Sequence, residues 1–357
     1  MGIRSKKRVE PMQDTVIGAL ADDTEVVASS IESGRTLLQT LDEYVTMQSS
    51  FDRQARVNLR REVVEVTVPM YLDYVASQVM GWSEVEIDSL KAIISSIAKL
   101  FAPLSLQLPA KVQLVKTSGQ EEGYAAYTRR KDTIVLPANM VASVETATNF
   151  GDPLHPANDL SYLQNVIIHE CFHLFSKNNP EERLRLYDHI HYQSTGAAIE
   201  LPDVPWGPPD SDSTMRDLKI TNPDEPASDV YIKMLVPSVP GQSDSPRVEK
   251  ALAPVLLAKC PYAGGIFFDY LQWWFIAIAQ DAGGHWAPVM GADGRPEMYE
   301  SAPLMSQYLA LVSSNFVQEI FQPDEILAQN FVLMASQPSL DILVEMRHAL
   351  SSKEVLV

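Results

Sequence analysis

Cysteine is scarce in this chain of 357 residues. The two present, Cys171 and Cys260, are too few for a disulfide framework and fit synthesis in a reducing compartment. Positive charge is also short: 28 Lys and Arg stand against 46 Asp and Glu, a net charge of −18. Binding nucleic acid requires clustered Lys and Arg to neutralise phosphates, so no nucleic-acid partner is expected. The one basic cluster, Arg4-Ser5-Lys6-Lys7-Arg8, reads as a solvated tail, and Lys6 stands where a myristoylation motif wants Ser or Thr. No apolar run follows that cluster, so a secretory signal is not expected. The longest apolar stretch, Gly264 to Gln280, is short for a membrane span and carries Asp269, which makes it a core element instead. A cytoplasmic location is the expectation, with export by a signal-independent route left open. No internal repeat interrupts what is otherwise the composition of an ordinary globular protein.

Histidine is rare as well, with 7 in the chain, yet two of them fall four residues apart in Val166-Ile-Ile-His169-Glu170-Cys171-Phe172-His173. On a helix, positions i and i+4 share a face, so both imidazoles can reach one ion. Glu170 follows the first of them and can address a water on that ion. This is the H-E-x-x-H pattern, with the two His as zinc ligands and the Glu as general base. Cap candidates at Asn158, Asp159 and Ser161 precede an apolar helical face, and Ser176 to Pro180 supplies a stop. Cys171 reads as a buried thiol, not a ligand. Asn179 and Pro180 then open a second helix with Glu181 and Glu182 in its first turn. Its His189 and His191 are spaced i, i+2 and face different sides, which disfavours joint chelation.

Upstream, residues 12 to 62 carry apolar residues at helical spacing with almost no Gly or Pro, so two or three helices are predicted there. Another is predicted over Ile87 to Leu100. The period then changes. Residues 112 to 117 alternate like a strand, and Ala126 to Pro137 reads as a strand or hairpin. Tyr127, Thr128, Arg129 and Thr133 to Val135 are candidates for an edge that holds an extended substrate by main-chain hydrogen bonds. Segments 201–213 and 235–247 are rich in Pro, Ser and Asp and read as loops. A short strand is expected at Val230 to Ile232, and a last helix over Ser339 to Ser351.

A catalytic zinc site needs three protein ligands and one open position. The short extension H-E-x-x-H-x-x-G-x-x-H is absent, because positions 176 and 179 are Ser and Asn. The third ligand must come from farther along. In Gln322-Pro323-Asp324-Glu325-Ile-Leu-Ala-Gln329-Asn-Phe, Pro323 opens a helix and Glu325 lies in its first turn. Gln329, one turn on, suits a group that orients a ligand His. Asp324 and Glu325 also suit a helix N-terminus with no metal at all.

The motif with a later helical carboxylate resembles the gluzincin branch of the zincin-like metallopeptidases. More closely, HECFHLFSKNNPEERLRLY, TNPDEP and QPDEILAQNF resemble a group of poorly characterised bacterial zincin-like proteins, over residues 110 to 335. The resemblance implies a Zn2+ cofactor held by His169, His173 and Glu325, with Glu170 as base and a peptide or protein as substrate. Gln329 departs from the Asp usual at that position, and the 140-odd residues between His173 and Glu325 are a long insertion. Tyr231, Tyr187, His189 and His285 are candidate oxyanion donors; Tyr231 is preferred because it belongs to the shared TNPD segment.

The expected fold is α+β and zincin-like, mostly helical with a small mixed sheet beside the metal helix. An N-terminal helical region would span residues 1–105 and the metallopeptidase domain 106–357. Two other functions compete with a zinc metallopeptidase: an inactive zinc-binding regulatory protein, and a secreted effector or toxin protease.

Overall fold

The computed structural model describes residues 13–20, 24–142, 161–242, 244–312 and 320–336, with Met346 and Leu350. Of the helix expected over 339–351 only Met346 and Leu350 are described, both helical and buried; the rest of it, with His348, and the basic cluster at 4–8 lie outside the described residues.

Two six-stranded sheets carry the fold. The first contains β1 (Thr15–Ala19), β2 (Glu25–Ala28), β3 (Val79–Met80), β4 (Lys111–Thr117), β5 (Tyr127–Arg129) and β6 (Thr133–Pro137), in the order β1-β2-β4-β6-β5 with β3 on β4. It is mixed: β4 runs parallel to β2 and β6, and the other pairs are antiparallel. The second contains β7 (Tyr192–Ser194), β8 (Val230–Pro237), β9 (Arg247–Ala258), β10 (Leu271–Gln280), β11 (Trp286–Pro288) and β12 (Met298–Glu300). All its pairs are antiparallel.

The expectation of a mostly helical zincin-like fold with one small sheet is therefore wrong; the protein is α+β with two substantial sheets. The physical reason lies in burial. In β2 the consecutive residues Val26, Val27 and Ala28 are all buried, because the strand lies between β1 and β4 and is covered on both faces. Such strands read as continuous apolar runs, which periodicity cannot separate from a buried helix. The same holds for β9 and β10, whose two faces feed different apolar clusters. With β1 paired to β2 and β2 to β4, the first sheet joins residues on both sides of position 105.

Helices α1 (Ile31–Leu38), α2 (Glu43–Met47), α3 (Ser50–Val57), α4 (Val68–Ser77) and α5 (Glu84–Phe101) fill the N-terminal part, and α6 (Ala138–Ala142) follows β6. The central helix is α7 (Tyr162–Asn178), joined at Asn179 to α8 (Pro180–His189); α9 (Met305–Val312) and α10 (Pro323–Ser336) follow the second sheet. Ser161 caps α7 by accepting from the Gln164 N–H at 3.3 Å. From Leu163 to Ser176 every residue of α7 except His169 is buried. The helix is enclosed by α5, α6, α8, α10, β5 and β6, and Phe172 meets Phe331 of α10 at 5.6 Å between ring centroids. Burial on all sides holds α7 in place. No helix among the described residues is long and apolar enough to cross a membrane.

Candidate metal centre

His169 and His173 project from one face of α7, their Nε2 atoms 2.9 Å apart. The first turn of α10 delivers Glu325 to the same point. Its Oε2 lies 3.1 Å from His169 Nε2 and 3.5 Å from His173 Nε2. Zinc bonds to His nitrogen and carboxylate oxygen of about 2.0–2.2 Å imply donor atoms roughly 3.3–3.5 Å apart around a tetrahedral ion. The three observed separations are close to that. The donor set, two imidazoles and one carboxylate with no thiolate, suits zinc.

The charges point the same way. Burial works against a charged His173, yet Asp224, Glu325 and Asp324 hold its pKa well above the usual range. Glu325 is opposed by burial too, but the two imidazoles hold it well below the ordinary carboxylate range. The surroundings thus stabilise positive charge at the convergence point, which a divalent cation or protons can supply.

The ligands are themselves held. Asp324 Oδ2 sits 2.7 Å from His173 Nδ1, and Asp324 Oδ1 accepts from Ser176 Oγ at 2.5 Å and Tyr187 OH at 3.0 Å. The Asn222 side-chain amide donates to Glu325 Oε1 at 2.7 Å, leaving Oε2 to face the imidazoles. It donates also to Gln322 Oε1, and its own oxygen accepts from the Asp224 N–H at 3.0 Å. Asp324 thus holds the His173 ring from the side away from the convergence point. Gln329, expected to orient a ligand His, is buried one turn farther along α10.

Glu170 borders a cavity of about 200 Å³ that His169 and Glu325 also line. Burial, then the nearby charge of Asp224, pushes its carboxyl up to about 8. Its Oε2 is buried without a hydrogen-bond partner in the structure. Glu170, His173 and Asp224 form a second grouping with ligand atoms within 4.8 Å of one another. There, however, Asp224 Oδ1 is already committed to the N–H of Thr128 at 2.8 Å and to its hydroxyl.

That commitment overturns another expectation. Strand β5 does lie at the edge of its sheet, but Thr128 is not open to a substrate strand. Its N–H binds Asp224, while Lys177 from the end of α7 donates to its hydroxyl at 2.6 Å and its carbonyl at 3.4 Å. The TNPD turn and the end of α7 close the edge. Thr133 to Val135 belong to β6, between β4 and β5.

The oxyanion candidates fare differently. Tyr231 sits in β8, donates to Gln193 Oε1 at 2.6 Å and packs on Trp286 at 4.5 Å; it does not line the cavity. Its place in the sequence near TNPD carried no information about which sheet face it joins. Tyr187 is spent on Asp324. His189 ends α8, His191 sits at a turn with φ 61°, and His285 is exposed beside Asp281; none lines the cavity. In their place Tyr162 and Asn165 line it, at i−7 and i−4 from His169 on the same face of α7. That spacing was readable in the sequence. Asn222 and the apolar wall of Ile220, Leu256, Phe267, Phe268 and Phe321 come from distant segments and gave no local signal. Comparisons with protein-family models, curated proteins and solved structures found no match to this chain.

Proposed function

We propose that this protein is a zinc-dependent peptidase, with His169, His173 and Glu325 as ligands and Glu170 as general base. The observation carrying this reading is the convergence of three ligand atoms, within 3.5 Å of one another, beside a buried carboxylate oxygen that has no other partner. Zinc held by these residues would supply a Lewis acid and acidify a water at neutral pH. Glu170 would take a proton from the attacking water and return it to the departing amine nitrogen as the peptide bond breaks. Tyr162 and Asn165 bring polar groups along the same face and are the candidates for meeting the developing oxyanion. Asn222 and Asp324 fix the ligand orientations, so little rearrangement is needed on binding.

The test is hydrolysis of a mixed peptide library by zinc-loaded parent and by Glu170→Gln. Parent activity with a loss of roughly 10²–10⁴-fold in the variant, at equal zinc content, is expected. Equal turnover in both would remove Glu170 from the chemistry.

A further inference from the structure

The cavity beside Glu170 has two kinds of lining. His169, Glu170 and Glu325 are polar, whereas Ile220, Leu256, Phe267, Phe268, Leu271 and Phe321 form an apolar wall. Arg56 and Glu122 also line it, and their charges are already matched. Arg56 Nε meets Glu122 at 2.7 Å, Nη1 meets Asp52 at 2.7 Å, and Nη2 donates to the Thr221 carbonyl at 3.0 Å. Glu122 also accepts from Tyr44. A substrate group reaching past the metal thus meets aromatic and aliphatic surface backed by a closed polar network.

Two further observations bear on how a peptide would be held. The first is the sealed edge: with Thr128 occupied by Asp224 and Lys177, strand addition at β5 would have to break those bonds. The second is the wall itself. Phe268 lines the cavity yet is 47% exposed, a large apolar side chain open to solvent. It is backed by the turn at Gly123, where an added Cβ would lie 2.7 Å from Phe268 Cε2 and 2.9 Å from Phe267 Cε1. The aromatic wall is pressed against backbone and is formed before any ligand arrives.

Resting on the peptidase reading, we infer that the cavity takes one bulky apolar side chain of the substrate, next to the scissile bond, and that the protein grips its peptide by that side chain and not by extending a sheet. Recognition then depends steeply on one residue and weakly on the flanking backbone.

Internally quenched peptides with Phe, Leu, Ala, Asp or Lys at each position flanking the bond test this with zinc-loaded protein. In parallel, anisotropy of the same peptides, fluorescently labelled, reads binding to Glu170→Gln. At one position, Phe or Leu should exceed Ala in kcat/KM on the order of a hundredfold, the scale on which an apolar pocket discriminates lost methylenes. Binding to Glu170→Gln should follow the same order. N-methylation of amides away from the scissile bond should leave kcat/KM unchanged, whereas strand addition would lose roughly 2–10-fold for each main-chain bond removed. Phe268→Ala, at an exposed position that the fold tolerates, should cut the preference for Phe over Ala about tenfold. Cleavage with no apolar preference, or with losses on N-methylation at alternate positions, overturns this inference while leaving the peptidase reading intact. Apolar-selective binding without cleavage by the parent overturns the peptidase reading alone. Neither binding nor cleavage overturns both.

Discussion

Asp324 and Glu325 are neighbours in the chain yet address opposite nitrogens of His173, Asp324 at Nδ1 and Glu325 at Nε2. A carboxylate on Nδ1 fixes the tautomer that presents the Nε2 lone pair and makes it more basic. Asp324→Asn is therefore expected to weaken zinc binding about 10–100-fold, read by competition with a chromogenic chelator; an unchanged affinity would deny Asp324 this role. The H-E-x-x-H spacing was legible because it needs only the helical period. Glu325 was only partly legible: the motif asks for a third ligand, but acids open most of these helices, α8 included, and its convergence with the imidazoles is a tertiary fact. Asp324 was hidden in plain view: an acid beside Pro323 has an ordinary explanation in the helix dipole, and only the packing of α10 on α7 shows it meeting an imidazole. Tyr231 failed for the opposite reason. In a strand, neighbouring side chains point to opposite faces, and which face meets the site is a tertiary fact.

At the scale of elements, the short turn 120–122 between β4 and β5 carries two adjacent buried acids, Glu121 and Glu122. Burial pushes the Glu121 carboxyl up to about 7. In the unfolded chain a Glu titrates near 4.3, so between about pH 4.5 and 7 the folded state holds more protons than the unfolded one. Stability consequently falls as pH rises through that window. Glu121→Gln should remove this part of the slope and gain on the order of 3 kcal/mol at pH 8 relative to pH 4.5, read from urea midpoints at the two values. Parallel pH profiles in parent and variant would show that Glu121 is ionised in the fold. One residue on, Gly123 has φ +59° and faces Phe267 and Phe268 at sub-contact distance for a Cβ. Gly123→Ala should cost roughly 1–3 kcal/mol from backbone strain and displaced aromatics, and a neutral result would mean the aromatic wall yields freely. None of this turn was anticipated, because a lone acidic pair between two strands looks solvated until both are found buried.

For the whole molecule, two mixed-origin layers position a single convergence point. The first sheet and its helices support α7, the second sheet supplies Leu256 and Leu271 to the cavity, and α10 brings Glu325 to the two imidazoles. The hairpin over 126–137, the helix over 87–100 and the metal helix were readable from local period, whereas β2, β9 and β10 were not, because apolar runs covered on both faces lose their alternation. The long segment between the second His and Glu325 contains the whole second sheet. It contributes the TNPD turn that holds Glu325 and seals β5. A zinc peptidase here requires all three ligands. The direct measurement is zinc content and X-ray absorption of the purified protein beside Glu325→Ala, after identical gentle dialysis. About one zinc per parent chain is expected, with nitrogen and oxygen neighbours near 2.0–2.2 Å, two of them imidazole, and a sharp loss of metal in the variant. Equal zinc in both proteins, or thiolate among the neighbours, would contradict it.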